Sequence, residues 1–237
     1  MDEIINWTPQ VDIIVPCYNV ERIVSKCIKS LLEQDYSKNK INIYLVNDGS
    51  TDKTKKILES FAQETQITII HNSNNMSQAF SRNIGIKKGD GEVICFLDSD
   101  MVVKKDWVNI HVKILSQKEI VGVVGDQESP RNKKDTAFDR YLYNKRRGAR
   151  NFNKMSSISF QYFLFSNASL KRSVFNTVKL FDEKFISYGG EDTDLAIRIW
   201  QKFPNSLRFS KFAVSENHGE ENFEIFCKKM FEYGKTN

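Results

Sequence analysis

In the first hundred residues, short runs of Val and Ile alternate with longer stretches in which apolar residues recur every three or four positions. The short runs predict buried strands, and the longer stretches predict amphipathic helices. This order requires right-handed crossovers and gives a parallel sheet that is covered on both faces. The predicted strands are 11–16, 41–47, 67–72 and 92–98, and the helices between them are 20–34, 51–64 and 77–89.

Beyond residue 100 the alternation is looser. An aromatic-rich segment over 156–170 is predicted to be extended, and an amphipathic helix over 220–237 stops abruptly, which leaves open that the chain is a piece of a longer protein. No Gly/Ser linker, repeat or low-complexity tract separates the two halves. We therefore expect one α/β domain with a mostly parallel central sheet flanked by helices. Further helices are predicted at 104–118 and 191–203, and further strands at 120–126 and 206–216.

The composition of the 237 residues excludes several classes of protein. With 40% hydrophobic and 27% charged residues, the chain is too apolar to be disordered. It has no apolar run near the ~18 residues that span a bilayer, and its first residues lack the pattern of a secretory signal. The four cysteines are scattered without a CxxC pair, and Cys95 lies in an apolar run. We expect a buried thiol there, a reducing compartment and no zinc site.

Positive charge is concentrated in one segment. The chain has 35 Lys and Arg against 30 Asp and Glu, and residues 131–150 alone hold eight basic residues and two Asp. Such a patch is able to meet the phosphates of a nucleotide, a lipid diphosphate or an anionic membrane surface. A solvated helix face is an equally good interpretation of a charge run, and the sequence leaves these alternatives open.

Polar residues follow three of the predicted strands. Segments 16–19, 47–50 and 98–100 bring one tyrosine and three carboxylates to strand ends. Each segment alone is also typical of a turn or a helix cap. Because ligands of open parallel sheets bind outside the carboxyl ends of the strands, we expect the three segments to form one composite site.

The chain lacks the glycine-rich loops that cradle phosphates with backbone amides. Side chains and a metal must then neutralise a bound diphosphate. Asp98 and Asp100, two residues apart at a strand end, suit a hard cation that shares phosphate oxygens. Arg82, on the helix before that strand, is able to pair with phosphate through its planar guanidinium.

Five motifs resemble those of the family 2 glycosyltransferases, the large inverting group with the GT-A fold. The similarity extends from about residue 11 to residue 219, in the family's order. It implies a nucleotide-binding half over about 1–103, an acceptor-binding half over about 104–219 and the C-terminal helix. The motifs are VDIIVPCYN, YLVNDGSTDKT, SQAFSRNIGI, ICFLDSDM and YGGEDTDLAIR.

The resemblance implies a site for a UDP-sugar. Tyr18 would stack on the uracil, and Asp48 would accept a hydrogen bond from its N3–H group. Arg82 would contact the base or the diphosphate, and Asp98 would bind the ribose or share the metal. The family often has a glycine in the following loop, where this chain has 75–77. The residues assigned to the nucleotide are Pro16, Tyr18, Asp48, Arg82, Asp98 and Ser99.

The resemblance also implies a divalent metal, Mn²⁺ or Mg²⁺. Asp100 would be the direct ligand, with Asp98 sharing the metal. His218, which follows the last predicted strand, would be a further ligand. His71 and His111 fall within a strand and a helix, and we expect them to be structural.

The GGED sequence carries the catalytic residues that the resemblance implies. Asp192 would be the general base, with inversion at the anomeric centre. Glu191, a second catalytic candidate, would hold the acceptor together with Asp194, or the two would anchor the start of the helix. Asn167 and Gly190 are also assigned to the acceptor.

These residues predict a metal-dependent inverting glycosyltransferase. It would move a hexosyl or N-acetylhexosaminyl group from a UDP-sugar to a hydroxyl of a glycan, glycolipid or peptide acceptor, as in polysaccharide biosynthesis. We expect a cytoplasmic protein with peripheral contact at the inner face of an anionic membrane through 131–150, and no nucleic-acid partner. A retaining GT-A enzyme is the nearest alternative. A sugar-nucleotide-binding pseudoenzyme and a nucleotidyltransferase are others, although the latter usually begins with a basic Gly-rich loop that VPCYNVER does not supply.

Overall fold

A mixed β-sheet between layers of helices forms the centre of the computed structural model, which describes residues 7–130, 136–152, 156–186, 189–219 and 222–236. The strands in this part of the chain are β1 (Val11–Cys17), β2 (Ile41–Asp48), β3 (Ile67–Asn72), β4 (Val93–Leu97), β5 (Met101–Val103), β6 (Gly122–Glu128), β7 (Asn167–Lys171) and β8 (Leu207–Asn217). The helices are α1 (Val24–Leu32), α2 (Thr54–Glu59), α3 (Gln78–Lys88), α4 (Trp107–Leu115), α5 (Ala137–Leu142), α6 (Glu191–Lys202) and α7 (Phe223–Thr236).

The described strands lie in the order β3-β2-β1-β4-β7-β6-β8-β5. The first four are parallel to one another, as the alternation of strands and helices predicted. β7 is antiparallel to both β4 and β6, and β5 is antiparallel to β8, whereas β6 and β8 are parallel. The predicted α/β fold with a mostly parallel sheet is confirmed, and its antiparallel strands, β7 and β5, lie among the last four positions of the strand order.

Three local features differ from the sequence-based expectation. β5 has only three residues directly after the turn at 98–100, and such a short strand has no periodicity to detect. α5 forms inside the basic segment, where Thr136 and Asp139 make a reciprocal capping box. Of the predicted extended segment 156–170, only the end belongs to β7, and a 3₁₀ turn occupies Phe160–Tyr162.

Alternate residues of the central strands face two separate hydrophobic cores. Ile13 of β1 packs in the core that contains Leu31 of α1 and Trp107 of α4. Its neighbour Ile14 faces the opposite core, which contains Ile199 of α6. The strands are therefore apolar on both sides, which explains their continuous Val and Ile runs.

A buried ion pair joins the two halves of the sheet. Asp12 of β1 has no exposed surface, and its Oδ2 accepts from the Arg172 guanidinium at 2.6 Å and from the backbone N–H of Gly91 at 2.8 Å. Because Arg172 directly follows β7, the pair fixes the antiparallel half against β1.

Cys95 and His111 are buried away from the site, and His71 lies on β3. Cys95 is buried, as its apolar run predicted. His111 is also buried, with Nδ1 2.7 Å from the Ser169 hydroxyl, and burial lowers its pKa to about 4. His71 lies with Nδ1 3.2 Å from the Asn47 amide. Among the described residues, no helix is both long and apolar enough to cross a membrane.

Candidate functional site

Two cavities open beyond the carboxyl ends of the parallel strands. The small cavity, of about 320 Å³, lies against the ends of β1 and β2. The large cavity, of about 440 Å³, is bordered by β6 and by α7. Asp98 and Asp100, which follow β4, line both cavities. The two cavities therefore meet at this pair of carboxylates.

The small cavity contains most of the residues that the sequence assigned to a nucleotide. Tyr18 lines it and is 46% exposed, so its ring is available to stack on a base. Pro16, Asp48 and Ser99 line it as well. Five further lining residues had no role assigned from the sequence: Gln78 is the first residue of α3, and the other four lie in loops whose positions depend on tertiary packing. The five residues are Asn75, Gln78, Phe185, Ile186 and Gly189.

The carboxylate of Asp48 shapes the wall of the small cavity. Its Oδ1 accepts from the Met76 backbone N–H at 3.0 Å and its Oδ2 from the Ser77 N–H at 3.1 Å. Ser77 has a φ of 107°, a left-handed value that usually favours glycine. Gly49, which follows β2, approaches the backbone of the same loop so closely that a Cβ would collide with it. Asp48 thus holds the loop at 75–77, the segment in which the sequence lacks the glycine expected from the resemblance.

Arg82 lies in a position that differs from the expected one. The side chain is only 1% exposed and does not line either cavity. Its NH1 is 2.5 Å from Asp192 Oδ1 and 3.4 Å from Glu191 Oε1, and its NH2 is 3.4 Å from Asp98 Oδ1. The assignment of Arg82 to the base or the diphosphate is therefore corrected: the guanidinium joins three carboxylates beneath the site.

Glu191 and Asp192 begin α6 and differ in exposure. Asp192 is 19% exposed, and its Oδ2 accepts from the Phe165 backbone N–H at 3.0 Å. Glu191 lines the small cavity but is only 8% exposed, and its Oε2 has no hydrogen-bond partner among the described residues. Burial, together with the charge of Asp192, raises the pKa of Glu191 to about 7.

Three of the residues assigned to the acceptor have structural roles instead. Asn167 has no exposed surface; its Oδ1 accepts from the Trp107 indole at 2.8 Å, and its amide donates to backbone carbonyls of β6 and β8. Asp194 pairs with Arg198 one turn along α6, at 2.6 Å. Gly190, with a φ of 96°, precedes α6, and a Cβ there would collide with Phe185. None of the three lines either of the two cavities, and Asp192, one residue along from Glu191, does not line them either.

Asp98 and Asp100 offer oxygen donors that fit a hard divalent cation, whereas the His218 side chain is not grouped with them. In the described part of the chain, no three His, Cys, Asp or Glu side chains are grouped to hold a metal. The backbone N–H of His218 donates to the Asp100 carbonyl at 2.9 Å, while its ring lies 3.3 Å from Glu216. At Gly219 a Cβ would collide with Asp100 Oδ2, so a larger residue there would displace that carboxylate. Two carboxylates at a cavity junction fit a cation whose other ligands come from a diphosphate.

The large cavity is lined by basic and aromatic side chains. Arg147 and Arg150 come from the basic segment, of which residues 131–135 lie outside the described residues, and Lys229 comes from α7. Arg150 pairs with Asp126 at 2.5 Å and also donates to the Gln127 carbonyl. The described part of the segment is thus partly a wall of this cavity rather than only a solvated face.

Two sequence profiles match the chain. The profile described as Glycosyl transferase family 2 matches residues 12–178. The profile described as the N-terminal domain of galactosyltransferase matches residues 151–218, which include β7, α6 and β8. Together they span the sheet and the carboxylates that line the two cavities.

Curated relatives are similar over part of their length. Glycosyltransferase GlyG of Streptococcus pneumoniae is 32% identical over 117 residues, which are 49% of this chain and 38% of GlyG. The probable glycosyltransferase YdaM of Bacillus subtilis is 24% identical over 247 residues, covering 97% of this chain and 55% of YdaM. The chain therefore spans little more than half of YdaM and less than half of GlyG.

Two solved structures share the fold. Mannosyltransferase PcManGT from Pyrobaculum calidifontis, in complex with GDP-Man and Mn²⁺, matches with a TM-score of 0.76 and 19% identity, over 95% of this chain and 61% of that one. Staphylococcus aureus TarS 1–349 in complex with UDP matches with a TM-score of 0.70 and 17% identity, over 93% and 63%. These similarities establish the expected GT-A fold.

Proposed function

Because the chain belongs to glycosyl transferase family 2, we propose that it transfers a hexosyl or N-acetylhexosaminyl group from a UDP-sugar to an acceptor hydroxyl, with Mn²⁺ or Mg²⁺. The observation that carries this proposal is the junction of the two cavities. Asp98 and Asp100 line both of them. A donor diphosphate in the small cavity and an acceptor in the large one would therefore meet at these carboxylates.

The small cavity supports a uridine nucleotide. Tyr18 offers an exposed ring, and the Asp48 carboxylate is able to accept the N3–H of uracil, a hydrogen that cytosine lacks at N3. TarS, which is 32% identical to this chain over 95 residues in the S. aureus Mu50 protein, has been crystallised with UDP and UDP-GlcNAc. PcManGT binds GDP-Man, so the base preference of this chain depends on its own residues.

Asp98 and Asp100 would hold the divalent cation, with His218 as the third candidate ligand. Such a cation supplies Lewis-acid stabilisation of the leaving diphosphate. Arg82 holds Asp98 at 3.4 Å from below, and Gln78 donates to the same Asp98 oxygen at 2.9 Å. These two contacts fix the orientation of the carboxylate before a ligand binds.

Asp192 is the proposed general base. A sugar hydroxyl is a weak nucleophile near neutral pH, so a positioned carboxylate must accept its proton during attack. Arg82 and the Phe165 N–H fix both oxygens of Asp192, and each carboxylate oxygen keeps a further lone pair. Arg82 also supplies the positive charge that an ionised base needs in a partly buried position. In-line attack would invert the anomeric centre.

The test replaces Asp192 by Asn. The amide keeps the shape but cannot accept the proton, so transfer should fall by about 10²–10⁴-fold while UDP binding, measured by calorimetry, is retained. Asp194→Asn is the matched control, since Asp194 lies in the same helical turn and pairs with Arg198. Near-normal turnover of Asp192→Asn would transfer the role of base to Glu191. NMR of the product should show a β-linkage from an α-linked donor, and an α-linked product would indicate a retaining enzyme.

The remaining expectations concern the acceptor and the location of the protein. We propose a glycan, glycolipid or peptide acceptor and a cytoplasmic location. Contact with an anionic membrane would use the exposed basic residues of the segment, such as Lys145 and Arg146. Flotation with anionic vesicles at low and high salt tests this contact, because salt screens exposed charges.

A further inference from the structure

We propose that Arg147 is an anion-binding residue of the large cavity and that the acceptor carries a phosphate group beside the hydroxyl that is glycosylated. The proposal rests on the proposed function, because it treats the large cavity as the acceptor site. It narrows the acceptor to a phosphorylated one and assigns the recognition to one side chain.

Aromatic rings, and not a carboxylate, hold the guanidinium of Arg147. The guanidinium carbon lies 4.4 Å from the centroid of the Tyr141 ring and 5.9 Å from that of Phe226. No carboxylate of the described residues forms an ion pair with it. Arginine stacked on a ring keeps its N–H donors in the plane of the guanidinium. These donors remain available to an anion in the cavity.

The position of Arg147 is fixed before a ligand binds. Its backbone N–H donates to the Asn144 carbonyl at 3.0 Å, and Gly148, which follows it, has a φ of 64°. Phe138 supports the platform, since its ring lies 6.3 Å from Tyr141 and 5.4 Å from Phe226. The platform therefore connects α5 with α7 and turns the arginine into a wall of the cavity. A preorganised side chain loses less conformational entropy on binding.

The neighbouring charges leave Arg147 as the group that is suited to an anion. Arg150 is already paired with Asp126 and donates to two backbone carbonyls. Asp98 and Asp100 belong to the wall that the two cavities share, where the cation would offset their charge. Lys229 lines the same cavity and adds positive charge.

Phosphate fits this wall better than a carboxylate does. A phosphate monoester carries more charge at neutral pH and presents three acceptor oxygens. It is therefore able to accept two parallel hydrogen bonds from a guanidinium. Its third oxygen remains free for another donor of the cavity. The phosphate of a soluble sugar or polyol phosphate and that of a prenyl phosphate have this chemistry in common.

Binding of small probes tests the proposal. With excess UDP and Mg²⁺ present to occupy the small cavity, ligand-observed NMR would compare glucose 6-phosphate, glucuronic acid, glucose and geranyl phosphate at low salt. We expect glucose 6-phosphate to bind at least about tenfold more tightly than glucose, because hydrogen bonds to charged groups are among the strong ones. Glucuronic acid should lie between the two. A preference for geranyl phosphate over glucose 6-phosphate would identify a lipid source of the phosphate.

Arg147→Gln should remove most of this preference, and Arg147→Lys should retain part of it. Arg146→Gln is the matched control, because Arg146 is exposed and does not line the cavity. Unchanged phosphate binding in Arg147→Gln would overturn the proposal. An equal loss of phosphate binding in Arg147→Gln and Arg146→Gln would also overturn it. If both variants in addition lost binding to anionic vesicles, the segment would be a membrane contact instead. UDP binding is measured in the same samples. Its absence in every variant would contradict the proposed function, whereas its presence confines the failure to the role of Arg147.

Discussion

Replacement of Arg82 by Met would test whether the buried guanidinium holds together the three carboxylates around it, Asp98, Glu191 and Asp192. Methionine is unbranched and apolar, so it is able to fill the space beside the Phe181 ring, which lies 5.3 Å from the guanidinium carbon. The change therefore removes mainly the charge and the hydrogen bonds. Removing one partner of a buried ion pair costs about 3–5 kcal/mol, because the remaining charge stays desolvated.

At neutral pH we expect the cost of Arg82→Met to lie in the upper part of that range. Three carboxylates share the one guanidinium, with separations of 2.5, 3.4 and 3.4 Å. For a chain of this length each kcal/mol lowers the melting temperature by roughly 2–4 °C, so a cost of about 4–5 kcal/mol should lower it by about 8–20 °C. Lys87→Met is a control on the same helix, since Lys87 is exposed and meets Glu183 at 3.5 Å. That pair should contribute less than about 1 kcal/mol.

The pH dependence separates electrostatics from packing. Arg82 lowers the pKa of Glu191, so its removal should raise that pKa further. A carboxyl group whose folded-state pKa is raised binds more protons in the folded state, and stability then increases as the pH falls. The deficit of Arg82→Met should therefore shrink between pH 8 and pH 5.5 in urea unfolding followed by circular dichroism. A deficit below about 1 kcal/mol, or one that is equal at both pH values, would refute the reasoning. If Arg82→Met does not fold, Arg82→Lys, which keeps the charge, should fold with a smaller deficit.

Three other predictions follow from the site and the core. EDTA should abolish transfer, and added Mn²⁺ or Mg²⁺ should restore it; full activity in metal-free protein, verified by elemental analysis, would contradict the metal site. In calorimetry the affinity for UDP should exceed the affinity for CDP, and Asp48→Asn should reduce this difference. An unchanged difference in Asp48→Asn would contradict the proposed role of Asp48 in recognising the base. The pKa of His111 is lowered to about 4, so the unfolded chain binds a proton that the folded chain excludes. Stability should fall by about 2–3 kcal/mol from pH 7 to pH 4.5, and His111→Gln should show a smaller fall in urea unfolding.

The sequence predicted the parallel half of the sheet because each of its strands is buried on both faces. The Val and Ile runs of β1 and β2 follow directly from that burial. The antiparallel insertion of β7 between β4 and β6 could not be predicted, because it depends on pairing between residues more than 40 positions apart. Tyr18 and Asp98 line the same cavity, as expected for residues at strand ends, because the strands determine where their backbones lie.

The roles of Arg82 and Asn167 required the structure. The sequence places Arg82 on α3, the helix before β4, which Asp98 follows. It does not show that the shortest ion pair of Arg82 is with Asp192, 110 residues later. Asn167 follows a loop and would be a plausible surface residue. Its amide is nevertheless buried, because the Trp107 indole, 60 residues earlier, requires an acceptor inside the core. Polar residues of a buried network resemble ligand-binding residues in sequence, since both need hydrogen-bond partners.

Arg82 connects the two functions that the cleft must combine. Through Asp98 it reaches the carboxylate at the junction of the cavities, and through Asp192 it reaches the proposed base. It also meets Glu191, which lines the small cavity. A charge that appears or disappears at any one of these carboxylates changes the field on the other two, because all three share one counter-charge in a poorly solvated place. Donor binding at Asp98 would therefore alter the electrostatics of the proposed base Asp192, and a change at Asp192 would in turn affect donor binding.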